Sequence, residues 1–262
     1  MRVLVTGAAR SIGRAIAEVL AERGHEVVAT ARDAALLEDL KVARTLTLDV
    51  SSDASVAAAI EAAGELDAVV NNAGIPGTGP LEDYPLADVA RVLDVNAIGP
   101  LRLAQAVVPA WRHRGSGVLV NVSSVQGRIG TPLEGVYAAS KHALEAISES
   151  LHYELGHFGI RVVIIEPGYI APGMRHTADH PGPDIYRELH EQWHGTAEKL
   201  TGSGGRPGPE LVGHAVADAL EDPTTPLRVE VGQDAAMVLA LRRSQSDAEF
   251  EAIMRQALGL TW

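Results

Sequence analysis

Short runs of β-branched and other apolar residues fall at 2–5, 26–30, 44–48, 66–70, 117–122 and 160–165, separated by longer stretches whose apolar positions recur at helical spacing. This alternation predicts a repeated β-α unit. Parallel strands joined by helices need right-handed crossovers and cover on both sheet faces, so the expected class is α/β, a doubly wound (Rossmann) and mostly parallel sheet. Ligands of such a fold bind beyond the C-terminal ends of its strands. Between 172 and 208 the rhythm gives way to a stretch rich in Pro, Gly and His with no strand pattern, the profile of a lid. A helix near 209–220 and a strand near 227–231 resume it, and beyond Gly232 come two short helical patterns. One holds Met237, Leu239 and Leu241, the other Phe250, Ile253, Met254 and Leu258. Without an internal repeat or a separating linker, residues 1–262 are expected to form one domain, with a substrate lid at 172–208 and a helical tail at 233–262.

Composition narrows the function. No apolar run approaches the roughly 18 to 20 residues that cross a bilayer, and the chain starts directly in a strand pattern, MRVLVTG, so no membrane partner and a cytoplasmic location are expected. The 262 residues include no cysteine, which excludes disulfides, thiol nucleophiles and thiolate metal sites. Thirty-four acidic residues against 22 basic ones give a formal net charge of −12, unfavourable for a nucleic-acid partner. An anionic dinucleotide would need its own basic residues or a helix N-terminus.

Both features lie near the N-terminus. Strand 2–5 runs into Thr6-Gly7-Ala8-Ala9-Arg10-Ser11-Ile12-Gly13, and Ile16, Ala17, Val19 and Leu20 then mark the buried stripe of a helix. Gly7 permits a tight turn, while Gly13 lets backbone and helix approach a pyrophosphate that exposed N–H groups and the helix dipole would stabilise. An ordinary glycine-containing βα turn has the same look. The second strand ends Ala31-Arg32, without the acid that would bind the ribose 2′-hydroxyl of NAD; Arg32 and Arg10 suit a 2′-phosphate instead, so the expected cofactor is NADP(H). The plain alternative for both arginines is a solvated surface.

Tyr137 and Lys141 stand four apart at the start of a helix whose apolar positions are Leu144, Ile147, Leu151 and Leu155, so they share a face. A cation beside a phenol favours the phenolate and moves it toward useful proton transfer near neutral pH, which makes Tyr137 the acid–base candidate. Ser124, just past strand 117–122, is placed to hydrogen-bond a substrate carbonyl, although serines in such loops commonly cap turns. Asn96 lies in a helix expected from about 86 to 112; Pro100, four residues on, has no N–H to donate, leaving the Asn96 carbonyl for a water beside Lys141, or simply kinking the helix.

In order and spacing, TGAARSIG at 6–13, LDV at 48–50, NNAG at 71–74, Asn96, Ser124, YAASK at 137–141 and PG at 167–168 resemble the short-chain dehydrogenase/reductase family. VATARD at 28–33, GVYAASKHALEA at 135–146 and VGQDA at 231–235 are similar to its hydroxysteroid- and retinol-dehydrogenase-like branch. The resemblance implies interconversion of a ketone or aldehyde with an alcohol. Ser124 would steady the carbonyl oxygen, Tyr137 would transfer the proton, Lys141 would lower the Tyr137 pKa and bind the nicotinamide ribose, and Asn96 would support a relay water. Asp49 and Val50 would border the adenine, Asn71, Ala73 and Gly74 the adenosine ribose, and Pro167, Gly168 and Ile170 the nicotinamide. A homodimer or homotetramer built on helices 86–112 and 135–157 is likewise implied.

Two residues depart from that family. Ser11 stands where a second glycine is usual, with a hydroxyl able to donate to pyrophosphate, and Pro172 stands where a threonine is common. These departures leave room for a redox-inactive NADP-binding protein, and the same Tyr137 also suits isomerisation or dehydration without net redox. His190-Glu191-Gln192-Trp193-His194 fits the H-E-x-x-H zinc pattern, with Glu210 or His214 as a conceivable third ligand, but its place in the lid argues for lid surface and no metal. His176 and His180 read as further lid residues. Tyr169, Met174, Tyr186, Leu189 and Trp193 would give the lid an apolar inner face for a bulky hydrophobic carbonyl or alcohol.

Overall fold

In a computed structural model, which describes residues 1–173, 180, 182–194, 196–201 and 205–262, seven strands form one parallel sheet. They are β1 (Arg2–Val5), β2 (Glu26–Ala31), β3 (Arg44–Thr47), β4 (Ala68–Asn71), β5 (Gly117–Val122), β6 (Ile160–Pro167) and β7 (Arg228–Val231), in the order β3-β2-β1-β4-β5-β6-β7. Ten α-helices accompany them among the described residues: α1 (Ser11–Glu22), α2 (Asp53–Ala63), α3 (Leu86–Leu93), α4 (Gly99–Arg114), α5 (Gly135–Gly156), α6 (Arg187–Trp193), α7 (Thr196–Thr201), α8 (Glu210–Glu221), α9 (Gln233–Ser244) and α10 (Asp247–Leu258).

The β-branched runs become the central strands because only a strand buried on both faces tolerates apolar residues at every position. Side chains alternate across β1. Val3 and Val5 join Ile16, Leu20, Val212 and Val216 under α1 and α8, whereas Leu4 joins Val69, Leu103 and Trp111 on the other face. A fully buried leucine such as Leu4 or Leu119 contributes about 2–5 kcal/mol relative to alanine. The sheet reverses its order between β1 and β4, which pair at Val3↔Ala68 and Val5↔Val70, so a crevice opens past their C-terminal ends.

Two expectations are corrected. The helix expected over 86–112 is interrupted, with α3 and α4 separated by a π turn at Asp94–Ile98 in which Gly99 N–H reaches back five residues to the Asp94 carbonyl. Pro100 has no N–H for the Asn96 carbonyl, so the chain widens there instead of continuing in α register. The fourth strand begins at Ala68 rather than 66, because Leu66 has left the ladder and its carbonyl accepts from Trp111 Nε1. The stretch without strands also contains order of its own, in α6 and α7. No helix among the described residues is long and apolar enough to cross a membrane.

Candidate active site

The nucleotide end of the crevice is built from backbone. Thr6 Oγ1 accepts the N–H groups of Asn72 (2.9 Å) and Ala73 (3.0 Å), locking the end of β1 to the end of β4. Asn72 Nδ2 donates to the carbonyls of Thr6 (3.0 Å) and Gly7 (3.3 Å). Gly7 has φ +69°, and a Cβ on Gly13 would overlap the Gly7 carbonyl oxygen and the Asn72 amide. Space therefore requires glycine at 13, and conformation requires it at 7. The first turn of α1 has no acidic residue, and its N-cap, Arg10, makes no side-chain cap, so the N–H groups and the dipole there suit an anion. Ser11 itself has φ +47°, left-handed backbone that a glycine would adopt without strain. Ile12 is half-buried against the core.

Arg10 and Arg32 are exposed, and neither forms an ion pair among the described residues. Arg14, by contrast, is occupied by Asp39 (2.9 Å) and Glu18 (2.9 Å). Asp49 is held by Ser51, whose hydroxyl donates at 2.6 Å and backbone N–H at 2.9 Å; these bonds, followed by the pull of Arg32 and Arg102, keep its carboxyl below the usual range. Ala73 and Gly74 line the same edge, half-buried.

Two further residues expected at the nucleotide turn their side chains into the protein, which leaves only their backbone for that edge. Asn71 is buried inside the sheet, where its amide donates to Asn121 Oδ1 at 2.8 Å, and Asn121 in turn donates to Ser148 Oγ at 2.7 Å. Side chains alternate along β4, so Asn71 faces the strand interior and the half-buried Asn72 braces the glycine turn. Val50 is buried in the core, close enough to Gly99 that a Cβ there would crowd its Cγ2, and its carbonyl accepts from Arg102 at 3.1 Å.

At the other end of the crevice, β5 and α5 converge. Ser124, the first residue but one past β5, hydrogen-bonds the Tyr137 phenol, while Lys141 Nζ donates to the Val122 carbonyl at 2.8 Å and lies 5.7 Å from the Tyr137 ring centroid. Asn96 is fully buried. Its amide donates to the Ile75 carbonyl and to Ser140 Oγ, each at 2.9 Å, and its Oδ1 accepts from Ile75 N–H at 2.9 Å. Ser140 Oγ donates to the Tyr137 carbonyl at 2.7 Å, so the π turn braces the first turn of α5. The four residues expected to carry the chemistry are thus brought together.

Their electrostatics differ from expectation. Burial pushes the Tyr137 phenol above its ordinary value, the negative charge of Glu134 adds to this, and the Ser124 hydrogen bond opposes it. Burial also lowers Lys141 to about 8, against the pull of Glu145. Burial outweighs any downward pull of the lysine on the phenol, because in a desolvated pocket each group favours its neutral form. Tyr137 is held as a neutral acid, and of the pair Lys141 is the one that exchanges a proton nearer neutral pH.

Sequence reasoning missed Glu134. It caps the approach to Tyr137, accepting from Gln126 Nε2 and from Thr131 Oγ1 at 3.2 Å, and only the tertiary turn at 126–134 brings these groups together. Pro167, the last residue of β6, and Ile170 beyond it are buried, and Gly168 N–H bonds the Val231 carbonyl at 2.9 Å. Pro172 is exposed.

The lid yields an apolar cavity of about 230 Å³ between α6, α10 and the 129–132 loop, lined by Ile129, Leu189, Trp193, Phe250, Met254 and Leu258 among others. Leu189 and Trp193 thus line an apolar cavity. Tyr186 instead lies 5.9 Å from the ring of Trp262, and the Tyr169 hydroxyl bonds Thr196. His180 packs edge-on against Tyr84 and sits 3.2 Å from Asp88, while Met174 and His176 lie outside the described residues. In the H-E-x-x-H stretch, α6 ends at Trp193, so His194 has already left the helix. Gln192 holds the chain terminus, bonding Thr261 at 2.9 Å, and His214 meets Arg23 at 3.3 Å on the far side of the sheet. Among the described residues no group of three or more side chains is arranged to hold a metal.

This architecture has known counterparts. The family model described as short chain dehydrogenase matches residues 1–181. Retinol dehydrogenase 8 of Homo sapiens is 37% identical over 248 residues, covering 86% of this chain and 79% of that protein. A short-chain dehydrogenase from Streptomyces avermitilis superposes with a TM-score of 0.81 at 32% identity, covering 100% of this chain and 98% of the other. A short chain dehydrogenase from Burkholderia cenocepacia, solved in complex with NADP, does so with a TM-score of 0.78 at 25% identity and the same coverage. The chain therefore belongs to the short-chain dehydrogenase family, in its retinol-dehydrogenase-like branch.

Proposed function

We propose that the protein is an NADP(H)-dependent oxidoreductase that interconverts an apolar ketone or aldehyde with its alcohol, with Tyr137 as the proton donor and acceptor. The observation that carries this reading is the convergence of Ser124, Tyr137 and Lys141 beyond β5, braced through Ser140 by Asn96. The cradle fits a dinucleotide, because Gly13 has no room for a Cβ and the first turn of α1 offers backbone N–H groups with no acid of its own. The exposed Arg10 and Arg32, in no ion pair among the described residues, fit an additional phosphate and favour NADP over NAD.

When bound, the nicotinamide supplies or accepts the hydride. Ser124 steadies the carbonyl oxygen through its hydroxyl. Tyr137, kept neutral by burial and Glu134, donates the phenolic proton to that oxygen during reduction, and Lys141, titrating near 8, stabilises the resulting phenolate and helps restore its proton. The cavity under α6 and α10 takes the apolar body of the substrate and excludes water from it. The name of retinol dehydrogenase 8 points to a substrate of this apolar kind. Exposed Ile98 and Tyr153, on the π turn and α5, support a homo-oligomer through α4 and α5, and the reading includes a cytoplasmic location.

Cofactor consumption with a panel of apolar aldehydes and ketones tests the reading. NADPH should be oxidised well ahead of NADH, and Arg32→Ala should erase most of that preference by weakening NADPH on the order of tenfold or more. Substrate conversion without net nicotinamide oxidation would overturn the redox assignment, and equal losses for both cofactors would overturn the phosphate role.

A further inference from the structure

Among the buried charged side chains, Asp234 stands apart from the tetrad and has no assigned work. It lies in the first turn of α9, 6% exposed, and its Oδ2 accepts the backbone N–H of Tyr169 at 2.7 Å. Two glycines wrap the carboxylate. A Cβ on Gly168 would overlap both of its oxygens, and one on Gly232 would come within 2.7 Å of Oδ1. Gly232 has φ +106°, backbone that places the start of α9 against the end of β6. The rest of this stretch is held by neutral bonds: Gly168 N–H to the Val231 carbonyl at 2.9 Å, Ala171 N–H to the Pro207 carbonyl at 2.9 Å, and the Tyr169 hydroxyl to Thr196. Asp234 supplies the one charge-assisted bond to the backbone of 167–171 among the described residues, and such bonds are about twice as strong as neutral ones.

We infer that Asp234 is a positioning residue for the nicotinamide end of the site, a carboxylate clamp from the C-terminal helices that fixes the backbone of Gly168, Tyr169 and Ile170. The inference rests on the proposed dinucleotide reading for its purpose, and on the geometry around Asp234 for its existence. It gives the tail a role in the site through α9 as well as through the cavity wall formed by α10. The clamp's geometry also requires glycine at 168, since any side chain there would displace the carboxylate.

Amide hydrogen exchange on the protein without added cofactor, paired with NADPH titration, tests it. Asp234→Ala should speed exchange at 168–170 about tenfold or more while leaving β1, β4 and β5 protected, and should raise the NADPH dissociation constant by about tenfold. Asp234→Asn keeps an acceptor oxygen in place and should recover both values to within about threefold of the wild type. Gly168→Ala retains the carboxylate but pushes it away, so it should reproduce the Asp234→Ala exchange pattern even where the latter variant is too unstable to measure. Unchanged exchange at 168–170 in either variant overturns the clamp. Faster exchange with unchanged NADPH affinity overturns its positioning role. Failure of the wild type to bind NADPH would instead strike the underlying cofactor reading, and the exchange data would still decide whether the clamp exists.

Discussion

The two ends of the crevice are made differently. At the nucleotide end, contiguous residues 6–13 form the cradle, with Asn72 and Ala73 pinning it from the neighbouring strand, and the groups on offer are mostly backbone N–H. The proposed substrate end, the apolar cavity, is walled by side chains from three well-separated segments, the 129–132 loop, α6 and α10. A cradle of backbone needs small residues at fixed spacing, which a linear sequence displays. A wall of side chains needs only apolar bulk from whichever elements the fold brings together, so it leaves no local motif. The ends should therefore respond differently to substitution: sharply and sterically at the cradle, gradually and in proportion to lost contact area at the wall.

The strongest challenge to that contrast is Gly13→Ala. A single methyl group there overlaps the Gly7 carbonyl and the Asn72 amide, so NADPH binding should fall by about 100-fold or more in a fluorescence titration. Near-normal affinity would show that the cradle yields as the wall does. Phe250→Ala, by comparison, should raise KM for long apolar substrates by about tenfold while a short aldehyde is barely affected. Equal effects on both would mean that the cavity is not the substrate wall.

The pH profile reports on the region where the ends meet. Lys141 has its pKa lowered to about 8, so the fraction of enzyme with a charged lysine falls as pH rises through that value. Reduction measured at saturating substrate should decline several-fold between about pH 7 and 9. A flat profile would remove Lys141 from the proton path. The smallest effect belongs to Ser11→Gly. Relieving left-handed backbone at φ +47° should raise stability by about 1 kcal/mol in thermal or denaturant unfolding, provided that the hydroxyl contributes nothing else to the fold. A loss of stability would assign the serine a structural bond.

The same contrast explains what was legible in the sequence. The strands, their parallel sheet and the Tyr137–Lys141 pair could be read because each rests on local spacing: period-two or continuous apolar runs for the strands, and a separation of four positions for the pair. The side-chain surroundings of Asn71 were not legible, because the sequence does not say which of two adjacent asparagines faces the sheet interior; Asn121 and Ser148, 50 and 27 residues apart in successive bonds, decide it. The interruption of the 86–112 helix was foreseeable as a consequence of Pro100, but its π form was not. Glu134, three residues before Tyr137, went unread because its influence on the phenol depends on burial, and Asp234 because its partner, Tyr169, lies 65 residues away and becomes a neighbour only in the fold. The direction of the Tyr137 shift was misjudged for a related reason. Spacing reveals a neighbouring cation, whereas burial, the larger influence, appears only in three dimensions.

The most direct test of the account is single-turnover hydride transfer in Tyr137→Phe with a substrate that the wild type reduces. Removing only the phenolic oxygen should slow reduction by about 10²–10⁴-fold and change NADPH affinity by less than about threefold. Transfer at the wild-type rate, with cofactor bound normally, would contradict the assignment of Tyr137 as the proton donor.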